Sequence, residues 1–210
     1  MKGAIFTREN YTQVGWATTD GGAKVYDLGA KYTANEGATL YPVWADKVYT
    51  VTVVGGAANS NNNTAGSKVT ITASPAVNQL FVNWEVVSGN VTFDNAKDAT
   101  TTFVMPGENV SIKAVYKTKV AAPYASTDKT DFEWTGSEIA LELDAYDANA
   151  ITVTGDKGTA YGETYTLKMV LKDKVNYCWT DGTTDDITIN WTITHTHDLT
   201  KVPAKEAGCT

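Results

Sequence analysis

The chain is short of the residue types that carry most chemistry: among 210 residues there are two cysteines and two histidines. Cys178 and Cys209 match neither a CxxC redox pair nor a disulfide-dense scaffold, so cysteine usage does not fix the compartment. His195 and His197 stand outside the strand-forming runs, and no G-x-S-x-G or phosphate-cradling glycine loop occurs. Ser–His catalysis within a module and nucleotide chemistry are thereby excluded. Positive charge is also short. Lys and Arg number 17 against 24 Asp and Glu, a formal net charge of -7, and no basic stripe exists to neutralise phosphates. Nucleic acid is not an expected partner, and the scattered acidity serves solubility. No apolar run approaches the roughly 20 residues of a membrane helix, so no membrane insertion is expected in this segment. The opening MKGAIFTREN has no hydrophobic signal core. Uninterrupted helix-forming stretches are nearly absent.

What is plentiful is Thr, Val, Tyr and Trp, punctuated by Gly and Asn, which is the composition of strands and turns. The chain also repeats itself. A strand carrying Trp16, a turn-rich stretch and a closing strand ending at Trp44 are followed by the same order from Trp84 to Tyr116. Such a period implies small β modules in series, of about 60–80 residues, each with a small core.

Alternation of apolar and polar residues marks the strands. Tyr49, Val51 and Val53 share a face, as do Val69 and Ile71, then Leu80, Val82, Trp84 and Val86. Phe103 and Met105 resume the pattern, Pro106 and Gly107 stop it, and Ile112, Ala114 and Tyr116 close the unit. The polar run GGAANSNNNTAGS, residues 55–67, is expected as a hairpin loop or mobile tip, and KTKVAAPYASTDK, residues 117–129, as an interdomain linker. Beyond it Ile139, Leu141 and Leu143 alternate, as do Ile151 and Val153, then Tyr165, Leu167, Met169 and Leu171, and finally Ile187, Ile189, Trp191 and Ile193. These predict a compact antiparallel sandwich or grasp-like sheet, with turns at TGDKG and TDGTTDD.

The run FTRENYTQVGWATTDGGAKVYDLGAKYTANEGATLYPVW resembles the Listeria–Bacteroides repeat of bacterial surface proteins, the internalin B-repeat type, through Tyr11, Gly15, Trp16, Gly21, Gly22, Leu40, Tyr41 and Trp44. The opening β-hairpin of that repeat has no counterpart here, which implies an incomplete first module. YTVTV, KVTITASP, FVNWEV and TTFVMPGENVSIKAVY resemble the divergent form of the same repeat, TFVMP being the most specific part. LKDKVNYCWTDGTTDDITINWTI is similar to the Ig-like or MBG-type modules that accompany such repeats, and HTHDLTKVPAKEAGC to the opening of a further one.

The fold expectation is therefore all-β, with β-grasp-like repeats followed by a β-sandwich-like module. The expected domains are a truncated repeat over 1–46, a divergent repeat over 47–117, an Ig-like or MBG-like module over 118–194 and the start of another repeat over 195–210. The resemblance implies a non-catalytic stalk or adhesion segment of a secreted or wall-attached bacterial protein. Its location would be extracellular or at the cell wall. Its partners would be host or cell-wall glycans or proteins, and neighbouring modules of the same chain. The alternative is a set of carbohydrate-binding accessory modules of a secreted enzyme.

No cofactor, catalytic residue or metal ligand set is assigned. His195 and His197 at i, i+2 spacing, with Asp198 and Cys209, could contribute to a zinc site only if completed downstream. Asp181, Asp185 and Asp186 lie around Gly182 but lack the EF-hand spacing, so a polar turn is expected. Trp16, Trp84, Trp179 and Trp191 are expected to fill cores, leaving Trp134 as the best candidate for an exposed, sugar-stacking ring. Lys168 and Lys172 alternate with apolar neighbours and should face solvent, which argues against a Lys–Asn cross-link.

Overall fold

A computed structural model describes residues 3–34, 36–125 and 127–195. Every regular element among them is a strand, arranged in several small sheets with no barrel. Among the described residues no helix is long and apolar enough to cross a membrane. The chain divides into two compact units, Met1–Tyr116 and Lys117–Thr210.

The first unit opens with β1 (Tyr11–Ala17) and β2 (Tyr41–Asp46), paired antiparallel. A bulge between Gln13 and Gly15 sets Gln13 opposite Trp44 and Trp16 opposite Pro42. Positions 42 and 44 lie on one face, so the extra residue brings Gln13 and Trp16 onto a common face, and both are buried. The backbone N–H and C=O of Trp16 bond to Tyr26, at 2.9 and 3.0 Å. Its pairing with Pro42 is thus a non-hydrogen-bonded one, which is how the closing strand tolerates a residue without an amide proton. Gly15 explains the G-W dipeptide. A Cβ there would lie 2.6 Å from the Tyr26 carbonyl oxygen and 2.5 Å from the Lys24 side chain, blocking the approach of that segment.

The remainder of the unit comprises β3 (Val48–Val54), β4 (Gly56–Ala58), β5 (Asn62–Thr64), β6 (Lys68–Ala73), β7 (Gln79–Ser88), β8 (Thr100–Val104) and β9 (Val110–Val120). β3 lies between β5 and β9, antiparallel to the first and parallel to the second, while β4, β6 and β8 form an antiparallel sheet. The β-branched alternation of KVTITA buries Val69 and Ile71 and turns Thr70 and Thr72 outward, opposite Thr102 and Thr100. Tyr49, Val51, Trp84, Phe103, Met105, Val110 and Ile112 complete the core. At about 1.5–3 kcal/mol per fully buried large apolar side chain, this cluster supplies most of what holds the unit together.

The structure corrects two expectations here. Residues 55–67 are not a free loop, because β4 and β5 occupy it. Polar side chains complete the backbone ladder: Asn59 Oδ1 accepts from Thr70 N and Asn63 Nδ2 donates to Ser60 O, at 2.9 and 2.8 Å. Short edge strands of this kind draw on main-chain bonds, to which strand propensity is blind. On β7 the predicted face of Leu80, Val82, Trp84 and Val86 is not uniformly buried. Only Trp84 is fully enclosed, Val86 and Val87 are exposed, and Phe81 from the opposite parity packs on the core.

In the second unit the end of β9, Thr118–Val120, pairs parallel with β15 (Tyr177–Trp179). The other elements are β10 (Asp131–Glu133), β11 (Ile139–Ala140), β12 (Ile151–Thr154), β13 (Lys157–Gly158), β14 (Thr164–Leu171) and β16 (Ile187–Thr194). The main sheet runs β10-β16-β14-β12; of the expected antiparallel sandwich or grasp-like sheet, β12, β14 and β16 are antiparallel while β10 lies parallel to β16. Leu167, Met169, Leu171, Ile189, Trp191 and Ile193 form the buried face, as their alternation foretold. Ile139 and Leu141 begin as predicted, but β11 lasts two residues and Leu141 is buried outside any strand. The stretch expected as a linker includes Tyr124, which is buried in this core. Gly155, in the TGDKG turn, has φ +76 and would place a Cβ 2.0 Å from the Thr166 oxygen; its own carbonyl accepts the indole N–H of Trp191 at 2.9 Å.

Candidate functional site

Four of the six tryptophans, Trp16, Trp84, Trp179 and Trp191, are buried as expected. Trp84, Trp179 and Trp191 are 2%, 2% and 0% exposed, and each indole N–H donates to a backbone carbonyl: Asp98, Asp185 and Gly155 respectively. Trp16 is buried too, packed edge-on against Phe6 with ring centroids 5.9 Å apart. Trp134 is not the exposed platform expected of it. Its ring is half-buried against the core of the second unit, and its amide donates to Thr194 O at 2.8 Å. The aromatic that does stand out is Tyr161, 62% exposed, with its ring 6.1 Å from that of His195. Its position in the polar run TAYGET, just before Gly162 (φ 78), was a sequence signal for an exposed turn aromatic.

His195 Nδ1 lies 3.5 Å from Glu133 Oε1. His197, Asp198 and Cys209, the other members of the zinc constellation weighed from the sequence, lie outside the described residues. Among the described residues no group of three or more His, Cys, Asp or Glu is placed to hold a metal ion. Cys178 is fully buried.

Around Gly182, Asp181 and Asp186 have their carboxylates engaged within the protein, and Asp185 its backbone carbonyl. Asp181 accepts bonds from the backbone and hydroxyl of Thr183, which hold its carboxyl below the usual carboxylate range. Asp186 bonds Lys174 and Lys168, at 2.8 and 2.9 Å, and is likewise held low by those two ammonium groups. The Asp185 carbonyl takes the indole of Trp179. This is a turn stitched by its own side chains, not a cage of free oxygens. Lys168 and Lys172 face solvent as expected, the latter donating to Ala148 O at 2.6 Å.

One cleft, of about 460 Å³, opens in the second unit between Tyr124, Asp128, Lys129, Phe132, Glu142 and Asp144. Much of its polar lining is already engaged. The Tyr124 hydroxyl donates to Lys129 O, Asp128 Oδ2 accepts from Ala125 N, and Lys129 Nζ sits 4.7 Å above the Phe132 ring. Burial, and secondarily the charge of Asp128, push the Tyr124 phenol up. Glu142 and Asp144 remain exposed at the rim. No nucleophile with an adjacent base is present in it. Tyr124 falls in the stretch expected as a linker, and nothing in the sequence joined it to Glu142 and Asp144.

Residues 48–120 match the family model described as divergent InlB B-repeat domain. No curated protein and no solved structure matches the chain.

Proposed function

We propose that this chain is a non-catalytic segment of a bacterial surface protein, a spacer or adhesion region displayed outside the cell. The observation that supports this most is the match of residues 48–120 to the divergent InlB B-repeat, a kind of repeat found in surface proteins. The disposition of the side chains agrees with it. Trp16, Trp84, Trp179 and Trp191 are buried, the lowered carboxylates of Asp181 and Asp186 are spent on a turn, and the cleft beside Tyr124 lacks a nucleophile–base pair. The ligand, if the segment is adhesive, would be a glycan or protein of a host or a cell wall.

The competing reading, carbohydrate-binding accessory modules, draws its support from Tyr161, whose exposed ring offers a stacking surface. Protease shaving of intact cells of the source organism, followed by detection of peptides from this chain, tests location; their recovery only after lysis overturns the surface reading. A glycan array run with the wild-type chain and with Tyr161→Ala separates the two classes. Binding abolished by that one change favours the carbohydrate-binding modules, whereas no glycan binding by either protein favours the spacer.

A further inference from the structure

We propose that both units are built to carry tension along the chain, each through a parallel pair of strands loaded in shear. This rests on the spacer reading and adds how such a spacer resists force. In the first unit, β3 is the strand by which the chain enters the body formed by 48–116, and β9 is the one by which it leaves. They are neighbours and run parallel, from Val51 opposite Val110 to Val54 opposite Lys113. Tension drawn back on Val48 and forward on β9 slides the two strands along each other, so the bonds between them are stressed together instead of in succession. Thr50 N donates to Asn109 Oδ1 at 2.9 Å, adding a side-chain bond at the loaded end. Val51 N turns the other way, to Asn61 O at 2.9 Å, so the alternation directs the amides of Thr52 and Val54 towards β9. Val51, Val110 and Ile112, no more than 3% exposed, keep water from the inner face of this pair.

The second unit repeats the device with different residues. The chain enters it through the end of β9, paired parallel with β15, and β10, the next strand, lies parallel to β16, its last described one, from Asp131 opposite Thr192 to Glu133 opposite Thr194. Backbone bonds continue beyond the register at both ends: Thr192 N to Thr130 O at 2.7 Å and Trp134 N to Thr194 O at 2.8 Å. The hydroxyls of Thr192 and Thr194 add bonds to the Asp131 carboxylate and the Phe132 carbonyl. The ring of Phe132 packs edge-on against Trp191, centroids 5.8 Å apart, and covers the pair from within. β1 and β2 supply the internal contrast. They are antiparallel with Tyr11 opposite Asp46, so the two ends of that segment are side by side and tension opens it one pair at a time.

The test is single-molecule stretching of the full chain, held through tags fused to its two ends. Two high-force ruptures are expected, releasing about 250 Å and about 280 Å of chain for residues 48–116 and 117–194, after a low-force opening of about 130 Å for 11–46. Handles on Lys47→Cys and Glu108→Cys, in a Cys209→Ser background, grip the two strand starts and peel β3 from β9. Rupture of the first body in that direction should need about two-fold less force, because forced unfolding follows the barrier along the direction pulled. Asn109→Ala should lower the end-to-end rupture force of the first body while leaving its melting temperature close to wild type. Equal force in both directions, or rupture of both bodies at the low force of the β1–β2 segment, overturns the proposal. That result leaves the cell-shaving outcome untouched, so failure of the clamp and failure of the surface reading are distinguishable.

Discussion

Trp16 and Trp84 each lead a stretch that closes on an aromatic, Trp44 and Tyr116 respectively, yet their surroundings differ. Trp84 packs in a closed core, touches Phe81 at 5.6 Å, and donates its indole N–H to Asp98 O at 3.1 Å. Phe81 in turn meets the closing aromatic Tyr116, whose hydroxyl bonds Gly55 O and Ser74 N. Trp16 belongs to neither core cluster, and its indole nitrogen is buried without a partner. Its ring partner is Phe6, from the segment before β1, and not the closing Trp44, which stands across from Gln13. Gln13 holds that segment in place, its Oε1 accepting from Ile5 N and Phe6 N at 3.1 and 3.3 Å. The lesson is that a shared pattern preserves the burial of a tryptophan without preserving what satisfies it.

The comparison breaks most sharply at Trp84. Trp84→Ala should cost about 3–5 kcal/mol, enough to unfold residues 48–116 in a urea titration followed by amide exchange. An unchanged unfolding midpoint would place that ring on the surface. Gln13→Ala comes next, because two amides lose their acceptor. The expected loss is local, about 1–2 kcal/mol, and should appear as roughly ten-fold or greater acceleration of exchange at Ile5 and Phe6 while Val69 and Ile71 keep their protection. Conserved-ring changes sharpen the contrast further. Trp16→Phe removes a buried N–H that has no partner and should fall within about 1 kcal/mol of wild type, whereas Trp84→Phe strands the Asp98 carbonyl and should cost more. Equal costs for the two would show that the indole nitrogens have equivalent environments in solution.

The smallest effect concerns acid. Asp173, Asp181 and Asp186 are held below the usual carboxylate range: Asp173 by the Asn176 side chain and the Asn176 and Val175 amides, Asp181 by Thr183, and Asp186 by Lys174 and Lys168. A depressed folded value means the stabilisation is fully present above the ordinary carboxylate pKa of about 4 and is lost as pH falls through the depressed values. Amides of Val175, Asn176 and Thr183 should therefore lose protection as pH falls below about 4, measured by exchange at stepped pH. Protection that is flat across this window would show that these turns hold without their charges.

Much of this fold was legible along the chain because strand alternation is a local signal. Val69 with Ile71, Leu167 with Met169, and Ile189 with Trp191 are buried as their spacing required. The capped turn at Asp181–Gly182 and the outward lysines Lys168 and Lys172 were equally plain. The misses share a cause. β4 and β5 are short edge strands of small or polar residues that pair through the main chain, Trp134 is half-covered by a core assembled from distant segments, and Tyr124 meets Glu142 and Asp144 only after folding.

By itself the sequence determined the class of structure: period-two alternation fixes which face of each strand is apolar, and Gly, Asn and Asp fix where the strands turn. Which strands become neighbours, and in which direction, was decided by the tertiary structure alone. The pairings of β3 with β9 and β10 with β16 join residues about 60 positions apart, and a strand presents the same alternating faces whether its partner runs parallel or antiparallel.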